Sequence, residues 1–244
     1  MDLTGISTIV FDLGGVIVSL DRERSVSRFL SLGLRNAEEL LDAYHQEGVF
    51  LQLEEGLLSH SEFQDAVRAE AGVHISNEDI DWAWMGFIVE AQVSKLKMLE
   101  DLRAKGYKLY LLSNTNPVVM NWAMSPDFSP ERKPLSAYFD KLYLSYQMKC
   151  VKPNRIIFDK MIEDSGLIPS ETLFVDDGTA NVEMGKALGF KTFQPKNGED
   201  FQEIFNGYTA DCYHLCTANV EMGKALGFKT FQPKNGEDFQ EIFE

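Results

Sequence analysis

A single aspartate at the end of a short apolar run is the first residue whose position suggests chemistry. Asp12 directly follows the apolar and β-branched run Thr8–Phe11, and Gly14 and Gly15 come just after it. This pattern predicts a buried strand that ends in a tight turn. Ligands of open α/β sheets bind outside the carboxyl ends of the strands, so Asp12 would face a crevice. There it can serve as a nucleophile, as a metal ligand, or as a turn acid without chemistry.

Polar side chains also follow other predicted strands. Ser113 and Asn114 end a second apolar run, Lys152 lies just before a helix opened by Pro and Asn, and Asp176 and Asp177 end a third run. The carboxyl ends of parallel strands meet at one edge of a sheet. We therefore expect a hydroxyl, an amide, an ammonium and three carboxylates to gather at this edge.

The order of strands and helices predicts the fold class. Strands alternate with helices over residues 92–205, which is typical of an α/β fold with a Rossmann-like, doubly wound parallel sheet. Residues 1–17 supply its first strand, so the predicted core comprises 1–17 and 92–205. Residues 18–91 show helical patterns and no clear strand, with helix starts at Asn36, Ser59 and Ser76. We interpret 18–91 as a small inserted α-helical cap domain.

Composition and charge narrow the class of partner. The 244 residues carry a net charge of −15, which disfavours nucleic acid because phosphate-backbone affinity comes from clustered Lys and Arg. No apolar run approaches the roughly 18 residues of a membrane span. Three cysteines make no disulfide framework, and we expect no signal peptide because the first residues show no basic n-region followed by a cleavable apolar segment. We expect a cytoplasmic protein, a monomer or weak homodimer, that acts on a small molecule.

Four segments together carry a resemblance to a known family. VFDLGGV, YLLSNTN, VKPNRIIF and LFVDDGTANV occur in this order at the predicted strand ends and span most of residues 6–205. The set resembles the four motifs of the haloacid-dehalogenase-like (HAD) hydrolase superfamily, and the helical insert matches its small cap in position. The DLGG and LSNTN motifs are most similar to those of sugar-phosphate phosphatases related to α-D-glucose-1-phosphate phosphatase.

The resemblance implies a nucleophile and a metal site. Asp12 would attack phosphorus and form an aspartyl-phosphate, which splits one difficult step into two. Mg²⁺, a hard cation that prefers oxygen ligands, would be bound by Asp12, the Gly14 carbonyl and Asp176. Asp177 would lie behind these ligands or bind through water. The implied reaction is Mg²⁺-dependent hydrolysis of a small phosphomonoester, with a sugar phosphate as the expected substrate.

The resemblance also implies a phosphate-binding set. The Ser113 hydroxyl and the Asn114 backbone N–H would bind phosphate oxygens beside the helix that Pro117 opens. Lys152 would neutralise charge that builds on the transferring group, with Lys149 as a nearby substitute. Two alternative functions stay open: a non-catalytic or very slow protein that binds a phospho-ligand or partner, and a metal-free haloacid dehalogenase.

The chain departs from the superfamily at Gly14. HAD phosphatases usually have a second Asp there, which protonates the leaving oxygen and later activates water. General acid–base help is worth about 10²–10⁴ in rate. Three consequences stay open: the acid comes from the cap, the substrate or water; the leaving group needs little protonation, as with an anomeric phosphate; or the enzyme is slow. Asp21, near the start of the insert, is expected to be a helix N-cap or a contact to a substrate hydroxyl.

The C-terminal part of the chain contains an exact repeat. Residues 179–205 recur letter for letter at 217–243, and 206–216 join the two copies. Only the first copy follows the acids Asp176 and Asp177, so only it can complete a metal site. We interpret the second copy as a recent or engineered duplication that packs loosely or competes with the first. Cys212, His214 and Cys216 in the junction are spaced like soft-metal ligands, but we interpret them as accidental.

This interpretation predicts that limited proteolysis cuts the chain within residues 206–216 and that activity is retained. The physical reason is that a sheet already filled by the first copy has no vacant place for the second. The cleavage sites are read by mass spectrometry and the activity is assayed on the same sample. A C-terminal segment that resists proteolysis completely would contradict the prediction.

Overall fold

The computed structural model describes residues 1–42 and 46–206. Its centre is a five-stranded sheet in the order β5-β4-β1-β6-β7, and all its neighbouring strands are parallel. The strands are β1 (Thr8–Phe11), β4 (Lys108–Ser113), β5 (Lys141–Leu144), β6 (Thr172–Val175) and β7 (Lys191–Phe193). The predicted α/β class with a Rossmann-like, doubly wound parallel sheet is therefore confirmed.

The first strand occupies the middle of the sheet because both of its faces are apolar. All four residues of β1 are buried, as are all four of β6, which is typical of strands covered by helices on both sides. Ile9 and Phe11 pack into one hydrophobic core, whereas Val10 packs into a second core on the opposite face. This arrangement puts Asp12 at the centre of the carboxyl edge of the sheet.

Helices cover both faces of this sheet. Pro117 occupies the first turn of its helix after Asn116, whose side chain accepts hydrogen bonds from two backbone N–H groups, as the sequence predicts. Gly166 ends another helix in the left-handed conformation. The helices of the sheet region are α6 (Val93–Ala104), α7 (Pro117–Ala123), α8 (Ser145–Met148), α9 (Arg155–Ser165) and α10 (Thr179–Ala187).

Between β1 and α6 lies a helical insert, residues 22–87. Its helices are α1 (Arg22–Ser31), α2 (Ala37–Leu40), α3 (Gly48–Glu54), α4 (His60–Ala71) and α5 (Asn77–Trp84). The predicted capping box at the start of α4 is present, since Ser59 and Glu62 bond each other's backbone N–H groups. Asn36 precedes α2, but its side chain donates to Glu70 and caps no backbone group of this helix, contrary to the prediction.

The insert departs from the sequence prediction in two further elements. Helix α3 was not predicted. A two-stranded antiparallel sheet, β2 (Val18–Leu20) with β3 (Ile88–Ala91), lies at the base of the insert where no strand was predicted. Helix α5 ends at Trp84, a short 3-10 turn ends at Phe87, and Ile88 is the first residue of β3. The chain thus enters the insert through β2 and leaves it through β3, and the two strands are paired.

An aromatic cluster forms the core of the insert. Phe50 stacks on Trp84 with 4.8 Å between ring centroids, and Phe29 and Phe63 contact both rings edge-on. Because Phe50 lies on α3 and Trp84 on α5, this packing fixes α3 against the rest of the insert. The C-terminal end of α3 is thereby held in a defined place above the sheet.

Asn197 and Gly198, which belong to the first repeat copy, contact the two-stranded sheet and the residue after it. Asn197 exchanges two hydrogen bonds with the backbone of Leu20, at 3.0 and 2.8 Å. The second copy, the junction cysteines and His214 lie outside the described residues, as do Tyr44 and His45 in the insert. Within residues 1–42 and 46–206, no helix has the length and apolarity needed to cross a membrane.

Candidate active site

A buried lysine joins two of the predicted strand-end acids. The Lys152 Nζ lies 3.0 Å from Asp12 Oδ1 and 2.6 Å from Asp176 Oδ2, and the side chains of Lys152 and Asp176 have no solvent exposure. Asp12 follows β1 and Asp176 follows the neighbouring β6, so adjacent parallel strands bring the two carboxylates together. The sequence prediction that these three side chains converge is matched by their positions.

Asp176 is held on both of its oxygens. Oδ1 accepts hydrogen bonds from the Gly178 N–H at 2.8 Å and from Asn181 Nδ2 at 2.9 Å, while Oδ2 takes the Lys152 ammonium. Asn181 lies in the first turns of α10, so the helix that follows β6 orients the acid at the end of that strand. A carboxylate restrained in this way has a fixed position for binding a cation.

The third acid, Asp177, depends on a glycine of the first motif. Gly15 has a φ of +71°, and a Cβ at this position would lie 1.9 Å from Asp177 Oδ2. Ligand oxygens of Asp12, Asp176 and Asp177 all lie within 4.8 Å of one another. Three carboxylates at this separation offer the hard oxygen donors that a small divalent cation prefers.

Asn114 positions the lysine through its side chain. Its Oδ1 accepts from the Lys152 backbone N–H at 2.7 Å, and its Nδ2 donates to the Lys152 carbonyl at 3.0 Å. The neighbouring Ser113 is buried at the end of β4 and lines the same pocket. Lys149, considered as a substitute for Lys152, instead donates to the Gly56 carbonyl of the insert.

Buried negative charge dominates the electrostatics of this edge. Burial raises the pKa of Asp12 to about 6, and the Asp176 charge adds to the rise although Lys152 opposes it. Burial and the charges of Asp12 and Asp176 raise the pKa of Asp177 to about 7. Burial alone would lower the pKa of Lys152, but the two carboxylates beside it raise it. Three carboxylates beside one ammonium leave an excess of negative charge, which a divalent cation would offset.

The insert supplies one wall of the pocket above these groups. Sequence reasoning missed Glu54 and Gln46, which both line the pocket and lie on or next to the unpredicted helix α3. Trp84 belongs to the aromatic cluster and also lines the pocket. The other lining residues from the insert and the two-stranded sheet are Val18, Leu20, Phe87 and Ile88.

Asp21 and Thr115 are two further polar residues whose positions the structure defines. Asp21 is the N-cap of α1, accepting from the Arg24 N–H at 3.0 Å, which is the structural one of its two expected roles. Thr115 was not singled out from the sequence. Its buried hydroxyl lines the pocket and has no hydrogen-bond partner among residues 1–42 and 46–206. A free hydroxyl in this place can donate to a ligand.

The raised acid pKa values predict how stability depends on pH without a cation. Between about pH 4 and 7 the folded protein retains protons on Asp12 and Asp177 that the unfolded chain has released, so these groups destabilise the fold as pH rises. Asp177→Asn should therefore raise the melting temperature more at pH 7.5 than at pH 5, measured in EDTA. Asp101→Asn, an exposed acid, is the control. An equal gain from Asp177→Asn at both pH values would contradict the prediction.

Known proteins share sequence with most of this chain. A family model described as haloacid dehalogenase-like hydrolase matches residues 6–189. The chain is 54% identical to a D-ribitol-5-phosphate phosphatase from Bacteroides thetaiotaomicron over 198 residues, which are 81% of this chain and 96% of that one.

Solved structures of HAD proteins also resemble it. A predicted HAD-like family hydrolase from Porphyromonas gingivalis is 43% identical, with a TM-score of 0.79 and coverage of 84% of this chain and 100% of that one. A HAD family enzyme from Bacteroides thetaiotaomicron, crystallised as an aspartate-to-alanine variant with magnesium and inorganic phosphate, is 40% identical with a TM-score of 0.79, covering 82% and 99%. The chain belongs to the haloacid dehalogenase-like hydrolase family.

Proposed function

We propose that this protein is a Mg²⁺-dependent phosphatase that hydrolyses a small sugar or sugar-alcohol phosphate through an aspartyl-phosphate on Asp12. D-ribitol 5-phosphate is the first candidate substrate, because the relative that is 54% identical over 198 residues carries that name. Magnesium is the proposed cation because a family member was crystallised with magnesium and phosphate. Asp12, Asp176, Asp177 and the Gly14 carbonyl are the proposed ligands.

One observation carries the proposal: the buried ammonium of Lys152 bridges Asp12 and Asp176 at the floor of the pocket. Lys152 has no exposed side-chain surface, so its charge acts in a medium with little screening by water. Ser113 and Asn114 line the same floor. The arrangement places an ammonium and hydrogen-bond donors beside the Asp12 carboxylate, where they can stabilise charge on a phosphate under attack, and a divalent cation would supply the remaining positive charge.

The two oxygens of Asp12 have different surroundings. Oδ1 accepts from the Leu13 N–H at 2.7 Å and faces the Lys152 ammonium. Oδ2 has no hydrogen bond or ion pair within the part of the chain that the structure describes. We assign the attack on phosphorus to this carboxylate, held in orientation by Leu13 and Lys152. When bound, Mg²⁺ supplies positive charge that offsets repulsion between the phosphate and the acids.

The reaction then has two halves. In the first, a carboxylate oxygen of Asp12 forms a bond to phosphorus, the P–O bond to the alcohol breaks, and the alcohol oxygen takes up a proton. In the second, a water molecule gives up a proton and attacks the phosphorus, which releases phosphate and restores the Asp12 carboxylate. Lys152 would stabilise charge on the phosphoryl oxygens in both halves, and Ser113 would donate to them.

The two alternative functions fit these observations less well. A metal-free dehalogenase has no evident need for three acids within 4.8 Å of one another, two of them with raised pKa values. A protein that only binds phosphate would not need a carboxylate pressed against its ligand, because that charge repels the anion. The nucleophile at the pocket floor favours turnover.

We predict that hydrolysis of D-ribitol 5-phosphate requires Mg²⁺ and that Asp12→Asn lowers kcat by about 10³-fold or more, because the amide cannot form the acyl-phosphate. Phosphate release is measured with Mg²⁺, with EDTA, and with EDTA followed by excess Mg²⁺, on a panel of pentitol and sugar phosphates. Asp101→Asn serves as the matched control, since it makes the same change at an exposed site.

Each other result has a definite meaning. Full activity in EDTA, or an Asp12→Asn variant as active as the wild type, would overturn the proposed mechanism. Stabilisation by a phosphate ester without turnover on any member of the panel would favour the binding protein. Halide release from a 2-haloacid in EDTA would favour the dehalogenase.

A further inference from the structure

An alkyl phosphate needs a proton donor at its ester oxygen. An alcohol leaves poorly as an alkoxide, so the breaking P–O bond is assisted by a group that gives up a proton in the transition state. The same group, once deprotonated, can take a proton from the attacking water. The following inference rests on the proposed function and asks which residue supplies this proton.

Position 14 cannot supply this proton, because Gly14 has no side chain and the Leu20 side chain fills the space beside it. A Cβ on Gly14 would lie 2.9 Å from Leu20 Cδ1 and within 3.7 Å of two more atoms of that side chain. The backbone of Leu20 is held on both sides by Asn197. An apolar side chain therefore fills the space beside Gly14, and an acid there would require Leu20 to move.

Four titratable side chains line the pocket within the described residues: Asp12, Glu54, Lys152 and Asp177. Asp12 is the proposed nucleophile. Lys152 is engaged by two carboxylates, and Asp177 belongs to the acidic triad. Of these four residues, only Glu54 is neither Lys152 nor a member of the group of three acids around it.

Glu54 has the properties of a carboxylic acid that stays protonated. It is only 8% exposed, and it lines the same pocket as Asp12 and Asp177. Burial raises the pKa of Glu54 to about 8, and the Asp12 charge adds to the rise. Burying a carboxyl costs stability, and a buried acid with a strongly raised pKa in a pocket is typical of functional sites.

The end of α3 that carries Glu54 is anchored to the sheet region. Gly56 has a φ of +65°, and a Cβ there would lie 2.0 Å from the Tyr146 carbonyl oxygen. The Gly56 carbonyl accepts from Lys149 Nζ. The end of α3 is thus held from two sides, by the aromatic cluster within the insert and by these contacts to Tyr146 of α8 and to Lys149. Such restraint is what a positioned proton donor needs.

We propose that Glu54 is the general acid–base catalyst of this enzyme, delivered by the insert in place of a side chain at position 14. In the first half-reaction the Glu54 carboxyl gives its proton to the ester oxygen as the P–O bond breaks and the Asp12–phosphorus bond forms. In the second, the Glu54 carboxylate takes a proton from the water that attacks phosphorus, and Asp12 leaves as a carboxylate. Protons balance over the cycle, and no co-reactant besides water is consumed.

The test compares substrates with poor and good leaving groups. Glu54→Gln should lower kcat for D-ribitol 5-phosphate by about 10²–10⁴-fold. With 4-nitrophenyl phosphate, whose leaving group needs no proton, the first half-reaction should slow less than about threefold. Because water activation is lost, that substrate should give a burst of one 4-nitrophenol per enzyme and a phosphoenzyme that accumulates. Glu55→Gln, the same change at a neighbour that does not line the pocket, should behave as the wild type.

Other outcomes separate this inference from the proposed function. A Glu54→Gln variant that raises KM with kcat unchanged would assign Glu54 to substrate binding and overturn the inference. An equal loss of the first half-reaction with both substrates would also overturn it, provided that melting curves show a folded variant. Partial recovery of kcat in Glu54→Asp would support it. A wild-type protein inactive on every ester tested would instead refute the proposed function.

Discussion

The contact between the Lys152 ammonium and the carboxylates of Asp12 and Asp176 is the interaction on which the rest of the site depends. Moving three charged groups out of water costs several kcal/mol per ion, and mutual attraction offsets this only when the geometry is accurate. Here β1 and β6 lie next to each other in register, and Asn114 holds the backbone of Lys152 from the end of β4. The order of strands in the sheet is therefore what makes the buried cluster possible.

The cluster is not balanced by its own lysine. Two of the three acids have raised pKa values because burial and their neighbours disfavour further negative charge. A protein optimised for stability alone would remove one of them, whereas a protein that binds a divalent cation and a phosphate uses all three. Gly15 shows how closely the local backbone is adapted to this arrangement, since any side chain there would collide with Asp177.

Much of this site is readable from the sequence because most of its groups directly follow a strand. Asp12, Ser113 and the paired acids were predicted at this edge, since apolar runs ending in polar residues mark strand ends without long-range information. Lys152, which follows α8, was predicted there from the helix start after it. The two-stranded sheet β2–β3 was not predicted. Its strands are three and four residues long and pair across about 70 residues of chain, so neither has a strong local pattern.

Glu54 could not have been identified from the sequence for a related reason. Nothing in the run Leu53 to Gly56 distinguishes one acid from its neighbour, and α3 itself was missed. Only the packing of Phe50 on Trp84 and the docking of Gly56 against Tyr146 turn Glu54 inward. Tertiary contacts of the insert, which bring together residues far apart in the chain, decide which of its acids reaches the pocket.

The most direct measurement of the central claim is to trap the phosphorylated enzyme. The protein is mixed with D-ribitol 5-phosphate and Mg²⁺, quenched in acid within the first turnover, and digested for mass spectrometry. The account predicts one phosphoryl group on the peptide that contains Asp12 and none on the same peptide from Asp12→Asn. Turnover that leaves the Asp12 peptide unmodified, or that places the phosphoryl group on another residue, would contradict it.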